Sequence, residues 1–300
     1  MIARSFSSLT SVGLFSMEFY GCLWYNIPEM TEKENGMNQA DVIRIAMEQS
    51  AVDCSCAPSD FTKSENVVTE SLAADGARKY LKLPHICDLV SYGSNVVACC
   101  REDLMPGVRR FVDQLPNPGA CFETPAIYAL NRVLEKADAR VCFMAAYFLP
   151  DIEQVFKADL SCAFETRLLH QEDFAELYLP EWSNALCKDR KHLDVLGVGA
   201  YDGGLLVGFA ACSADGDGMW QIGVDVLPEY RRRGIASALT NRLARAIFER
   251  EKVPFYCAAW SNVKSVKNAL RSGFRPGWAE ITAKSNQFIA ETFGKTGDMI

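Results

Sequence analysis

The sequence predicts a mixed α/β (α+β) protein, and three patterns carry that prediction. Short apolar runs separated by Gly- and Asn-containing turns predict strands and hairpins; apolar residues recurring at i, i+3, i+4 and i+7 predict packed helices. Near residue 230 the pattern changes from strand to helix across a basic, glycine-containing turn. A chain of 300 residues that is 49% hydrophobic fills two cores of ordinary size. Patterning weakens between Pro150 and Ala163. The expected division is therefore an N-terminal extension over 1–36, expected to be poorly ordered, a smaller N-terminal α/β domain over 37–155 and a second domain over 156–300.

The extension carries a loosely apolar stretch from Ser11 to Ile27, interrupted by Glu18, too broken for a secretory core or a membrane span. Met37 stands directly before a helical pattern, Val42, Ile45 and Ala46 within Ala40 to Gln49, which predicts a packing helix. Cys87 to Val90 and Val96 to Cys99 flank Tyr92-Gly93-Ser94-Asn95, where Gly and Asn are expected to supply the positive backbone angles of a hairpin. Val108, Phe111, Val112 and Leu115 then mark one helix. Thr124-Pro125 opens another that carries Ile127, Leu130, Val133 and Leu134. Val141 to Leu149, ended by Pro150, predicts a strand buried on both faces. No catalytic motif occurs in this region; it reads equally as a substrate-side domain or as a degenerate copy of the second domain.

Composition excludes several function classes. The formal charge of -7 gives no broad basic surface to neutralise a phosphate backbone, so nucleic acid is not an expected partner. Twelve cysteines are scattered and sit largely inside apolar runs (Cys99, Cys100, Cys142, Cys212, Cys257), which fits thiols in a reducing cytoplasm better than a disulfide framework. Three histidines show no ligand spacing, and no C-x-x-C occurs, so no metal is expected. No membrane partner is expected either.

The second region reads as a strand at Phe164 to Leu169, short helices across Glu172 to Leu186, and antiparallel strands at Val195 to Tyr201, Leu205 to Ser213 and Met219 to Val226. Asp202-Gly203-Gly204 and Asp215-Gly216-Asp217-Gly218 supply the turns. Val224-Asp225-Val226-Leu227-Pro228-Glu229-Tyr230-Arg231-Arg232-Arg233-Gly234-Ile235-Ala236 then leads into a long helix marked by Ile235, Leu239, Leu243 and Ile247. Such a junction aims several main-chain N–H groups and the positive helix end at one spot, which suits a pyrophosphate. Gly234 admits close approach there, and Ala236 keeps the next turn small. Val253 to Ser261 is the following strand. Asn262 to Phe274 reads as a helix with Asn262 as N-cap and Gly273 as a left-handed cap.

The Arg231-x-x-Gly234-x-Ala236 string, its preceding strand, and the Asn262 to Gly273-Phe274 helix together resemble motifs A and B of the GNAT acetyltransferase superfamily. The resemblance spans roughly Phe164 to Lys284. It implies a mixed, mostly antiparallel twisted sheet flanked by helices, with acetyl-coenzyme A as cosubstrate and direct transfer of acetyl to a small-molecule or protein amine. It implies that the strand carrying Val224 and Val226 splays from its neighbour to pair with the pantetheine arm. It also implies that amides from Arg231, Arg232, Arg233, Gly234, Ile235, Ala236 and Ser237 take the pyrophosphate, that Asn262 is a further contact, and that the N–H of Val226 is the oxyanion donor.

Two family side chains are missing. Ser265 and Ala269 stand where the motif B helix of many relatives has alanine and a tyrosine acid, leaving Ser265, Tyr256 or solvent as the acid. Trp220 and Gln221 stand near the usual strand glutamate, and Asp225 is the carboxylate left in that strand. It is a candidate base, with tethering of a helix or loop as the other reading. The two functional expectations are an active N-acetyltransferase and a non-catalytic acyl-CoA-binding or sensing module.

Overall fold

The computed structural model describes residues 36–294. The expected N-terminal extension, with its apolar stretch from Ser11 to Ile27, lies outside the described residues apart from Gly36. Helix α1 (Gln39–Asp53) starts where the apolar spacing predicts and is closed by a capping box between Asn38 and Asp41. Strands β1 (Val67–Glu70), β2 (Cys87–Ser91) and β3 (Val97–Cys100) follow, with β2 and β3 forming the predicted hairpin. In its turn only Gly93 takes a positive φ, 104°. Asn95 is used differently: it is buried, and its amide donates to the carbonyls of Asp60 and Glu65, both at 2.8 Å.

Helices α2 (Met105–Asp113) and α3 (Thr124–Leu134) bury the apolar faces read from the sequence. Strand β4 (Ala139–Pro150) corrects one expectation: only its last part, from Tyr147, is continuously buried, while Phe143 is 41% exposed. After the short helix α4 (Ile152–Lys157) come β5 (Glu165–His170), β6 (Asp194–Asp202), β7 (Leu205–Ser213) and β8 (Met219–Val226). Helix α5 (Ile235–Phe248), β9 (Val253–Ala259), α6 (Val263–Arg271), β10 (Phe274–Ser285) and α7 (Asn286–Phe293) complete the described chain.

All ten strands join one sheet in the order β1-β3-β2-β10-β4-β9-β8-β7-β6-β5. The pairs are antiparallel except β1 with β3 and β8 with β9. The expected boundary at 155 falls just after β4, yet β4 lies between β9 and β10, two strands of the C-terminal region. It pairs with β10 from Phe274–Pro150 to Ser285–Ala139 and with β9 from Ala145–Ala259 to Phe148–Tyr256. Hydrogen bonding of the sheet is thus continuous across the expected domain division.

The Asp215–Gly218 turn also differs from expectation, since neither of its glycines has a positive φ. Both are places of close approach: a Cβ on Gly218 would stand 3.0 Å from Ile45, and one on Gly216 would overlap the Gln49 side chain. The glycines let α1 settle against the hairpin end. Among the described residues, no helix is long and apolar enough to cross a membrane.

Candidate active site

The site begins with a parallel pair that stops early. β8 pairs with β9 from Met219–Val253 to Ile222–Tyr256 and no further, whereas its pairing with β7 continues to Val226–Gly208. The hydrogen bond from Leu227 N to Val207 O, 3.0 Å, fixes the phase of that antiparallel ladder. With alternation, Gly223 and Asp225 direct their main-chain groups toward β7, and Val224 and Val226 direct theirs the other way, into the gap left by β9. The carbonyl of Val226 accepts from Arg231 Nε at 3.0 Å; its N–H points into the gap.

At the end of β8 a 3₁₀ turn, Pro228–Tyr230, gives way to a loop in which Arg232 (φ 63°) and Gly234 (φ 79°) both adopt left-handed conformations. Two such residues turn the main chain sharply before α5, and the first amides of α5 are open because a helix head has no partners of its own. Among the described residues no side chain caps α5, and its first turn contains no acid. Arg231, Arg232 and Arg233 are exposed, and a Cβ on Gly234 would meet nothing nearer than the Ser161 carbonyl at 3.8 Å. The loop is open to solvent and positive.

Each neighbour has a distinct task. Arg231 ties the loop back to β8, and the Arg233 guanidinium lies over the rings of Tyr230 (5.2 Å) and Phe164 (6.0 Å). Ile235 is buried against Gly208, where a Cβ would stand 2.5 Å from its methyl group, so this residue offers only its amide to the loop. Ala236 is half-buried, and Ser237 turns its hydroxyl to the Gly234 carbonyl at 3.2 Å.

The segment 158–274 matches the model of the Acetyltransferase (GNAT) family. Residues 158–274 are a GNAT domain. Solved structures with a similar fold include a GCN5-related N-acetyltransferase-like protein from Streptococcus suis (21% identity, TM-score 0.40, 53% of this chain and 69% of that one). A GCN5-related N-acetyltransferase from Kribbella flavida is 16% identical, with a TM-score of 0.42 over 52% of this chain and 63% of that one. The aminoglycoside N-acetyltransferase AAC(6')-Iy, solved in complex with CoA, is 19% identical, with a TM-score of 0.32 over 40% of this chain and 93% of that one. The chain thus spans about two thirds of the first two. No curated protein matches the sequence.

Within the GNAT domain, Asp225 is a tether. Its carboxylate accepts from Asn184 N (2.8 Å), Asn184 Nδ2 (2.6 Å) and Ala185 N (3.0 Å), which leaves it poorly placed to take a proton from a substrate. These three hydrogen bonds tie the 183–187 loop to β8. Gly223, two residues earlier on the same face, has no room for a side chain because a Cβ would overlap the Asn184 carbonyl. Strand glycines mark such close backbone approaches.

Asn262 caps α6, its side-chain oxygen accepting from Ser265 N at 3.1 Å. Ser265 is half-buried in the first turn of that helix. Across from it, on β9, stands Tyr256, at the last β8–β9 pair. Burial raises the Tyr256 phenol above its ordinary proton affinity, and hydrogen bonds from the side chains of Ser265 and Asn268 oppose that rise. The fold brings two of the sequence-derived acid candidates together beside the splay.

Spacing in the sequence did not reveal two further groupings. A pocket of about 160 Å³ lies between the 183–187 loop and the sheet, lined also by Arg190, Asp194, Ser213, Asp215, Gln221 and Gly223. Farther off, Cys54, Asp88 and Cys99 converge so that their ligand atoms lie within 4.8 Å of one another. The Cys54 thiol is raised chiefly by its hydrogen bond with Cys99, and burial raises Asp88 well above its ordinary value. All eleven cysteines among the described residues are free thiols.

Proposed function

We propose that this protein is an acetyl-CoA-dependent N-acetyltransferase that passes the acetyl group directly to an amine. The observation carrying the reading is the coincidence of two features at one strand end. An open, positively charged cluster of amides lies at the head of α5, and the edge of β8 beyond Ile222 has no strand partner on the β9 side among the described residues. A diphosphate suits the first, and the amide-bearing pantetheine arm suits the second.

In this reading the amides of Arg232 to Ser237 hold the pyrophosphate. Val224 and Val226 pair with pantetheine, and the Val226 N–H stabilises the oxyanion formed when the amine attacks the thioester carbonyl. The amine nitrogen forms a bond to carbon and gives up a proton to solvent; the carbon–sulfur bond breaks, and the departing thiolate takes a proton from Tyr256. Tyr256 suits that step by position, at the last β8–β9 pair beside the splay; burial makes it a weaker acid, Ser265 and Asn268 oppose that, and solvent restores its proton. Ser265 supports its hydroxyl, and Asn262 acts through capping α6. The abundance of free thiols supports a reducing compartment such as the cytoplasm.

Thiol release from acetyl-CoA across a panel of primary amines tests the proposal, alongside calorimetric titration of acetyl-CoA. Expected are micromolar binding, turnover well above the uncatalysed rate, and a Tyr256→Phe variant with kcat reduced about tenfold or more and unchanged cofactor affinity. Binding without turnover for every amine would favour a sensing module instead.

A further inference from the structure

The 160 Å³ pocket differs from the cosubstrate groove in both position and chemistry. Trp220, Ile222, Val224 and Val226 pack toward the core beneath α5, so Gln221, Gly223 and Asp225 lie on the opposite sheet face. Gln221 and Gly223 line the pocket and immediately precede Val224, where β9 has left the sheet. The pocket therefore lies on the sheet face opposite the helix whose head holds the phosphate, and its lining ends one residue short of the unpaired edge at Val224.

The inner end of the pocket carries unused acceptors. Asp215 is 0% exposed; its Oδ1 pairs with Arg190, while its Oδ2 has no partner among the described residues. Ser213 Oγ, beside it, is likewise unpartnered in hydrogen-bond geometry, although the hydroxyl is close enough to favour the Asp215 carboxylate. Buried oxygens without donors are costly and mark a place where a donor belongs. Asp194 adds a second carboxylate, accepting from Cys187 N (3.0 Å) and Tyr178 OH (3.2 Å). Among the described residues the one guanidinium lining the pocket, Arg190, is already engaged with Asp215 and lies 5.5 Å from the Tyr80 ring centre. Two carboxylates against one committed cation ask for a positive occupant rich in N–H donors.

Size and spacing narrow the class. One water takes about 30 Å³ of liquid, so the space suits a compound with only a handful of heavy atoms. Ser213 stands opposite Gln221 in the β7–β8 ladder, and Val224 is three residues farther along. At about 3.3 Å per residue this separates the anionic end from the splay by roughly 10 Å. The nitrogen attacking the thioester must be uncharged, so the charged group at Asp215 is a different one.

We propose that the acceptor is a short aliphatic diamine, one end held as ammonium by Asp215 and Ser213 and the other presented uncharged beside Val224. This rests on the transferase reading, but binding tests it separately. Titrating 1,5-diaminopentane into the full chain without acetyl-CoA should give saturable binding at least tenfold tighter than pentylamine. Ser213→Ala, which leaves the Asp215–Arg190 pair intact, should weaken diamine binding several-fold, and Asp215→Asn should erase the preference over pentylamine. Acetyl-CoA affinity should be unchanged in both, which guards against misfolding as the cause. In turnover, the same variants should raise KM for the diamine and leave KM for pentylamine in place. Equal affinity for diamine and monoamine, or an equal loss for both in Ser213→Ala, would overturn the proposal. Diamine binding without turnover would instead strike only the transferase reading.

Discussion

Twice among the described residues a strand ends, a 3₁₀ turn follows and a helix begins: β3 into α2 through Glu102–Leu104, and β8 into α5 through Pro228–Tyr230. In the first junction Leu104 is itself helical, so the turn runs straight into α2. Its amides are consumed along the way, Leu104 N on Arg101 O and Met105 N on Glu102 O. Glu102 and Asp103 add negative charge, Pro106 has no N–H to offer, and Arg101 is held by Asp103 at 2.6 and 2.8 Å. In the second junction the positive φ values at Arg232 and Gly234 separate turn from helix and leave the amides open among three exposed arginines. A helix head becomes an anion site only where the chain is turned before it and the local charge agrees.

The N-terminal half nevertheless gives the site its frame, because β4 lies against both β9 and β10. The largest expected effect follows from removing it. A fragment of residues 156–300 leaves β10 without the strand it pairs with along its whole length and exposes one edge of β9, stranding main-chain groups that β4 now satisfies. We expect no cooperative urea transition and no acetyl-CoA binding from that fragment, and both from residues 37–300. A fragment that folds and binds would show that the two halves differ in their junctions but do not depend on each other.

Next in size is Gly234→Glu. The new side chain would occupy the phosphate position with the wrong charge, and calorimetry should show acetyl-CoA binding at least 100-fold weaker. The left-handed backbone adds a folding cost of about 1–2 kcal/mol, a fall of a few degrees in Tm. The paired control, Glu102→Gln with Asp103→Asn, removes the acids from the first junction and should create no second site, since the amides there remain bonded. Unchanged affinity in the glycine variant would break the comparison.

Much of this was legible in the sequence because it is local. The 3.6-residue spacing placed α1, α2, α3 and α5, and Gly234 between arginines and a helical stripe marked the open loop. What escaped depends on pairs distant in the chain. Nothing near residue 145 announces that β4 inserts between β9 and β10. Asp225 and Asn184 are joined only after the 183–187 loop folds over Gly223. Asp215 read as a turn residue, and its burial against Arg190 follows from that same packing. The Tyr256–Ser265 proximity needed the register of β9 as well as the start of α6.

The smallest effect separates two buried carboxylates, one in each half. Burial, and after it the charge of Glu280, raises Asp88 well above its ordinary value. Burial raises Asp194 from its ordinary 3.8 only to about 6, opposed by the hydrogen bonds from Cys187 and Tyr178. Below pH 4 Asp194 is protonated in both folded and unfolded chains. Between about pH 4 and 6 the folded chain holds the proton more tightly, so the stabilising contribution present at low pH is lost as pH rises and levels off above 6. The full span corresponds to at most about 3 kcal/mol. Asp194→Asn removes this titration while keeping an acceptor oxygen for Cys187 and Tyr178. The stability of the variant relative to the native chain, from urea midpoints, should therefore rise between pH 4.5 and pH 7.5, by about 1–3 kcal/mol. A relative stability of Asp194→Asn that is flat with pH would overturn the titration assigned to Asp194.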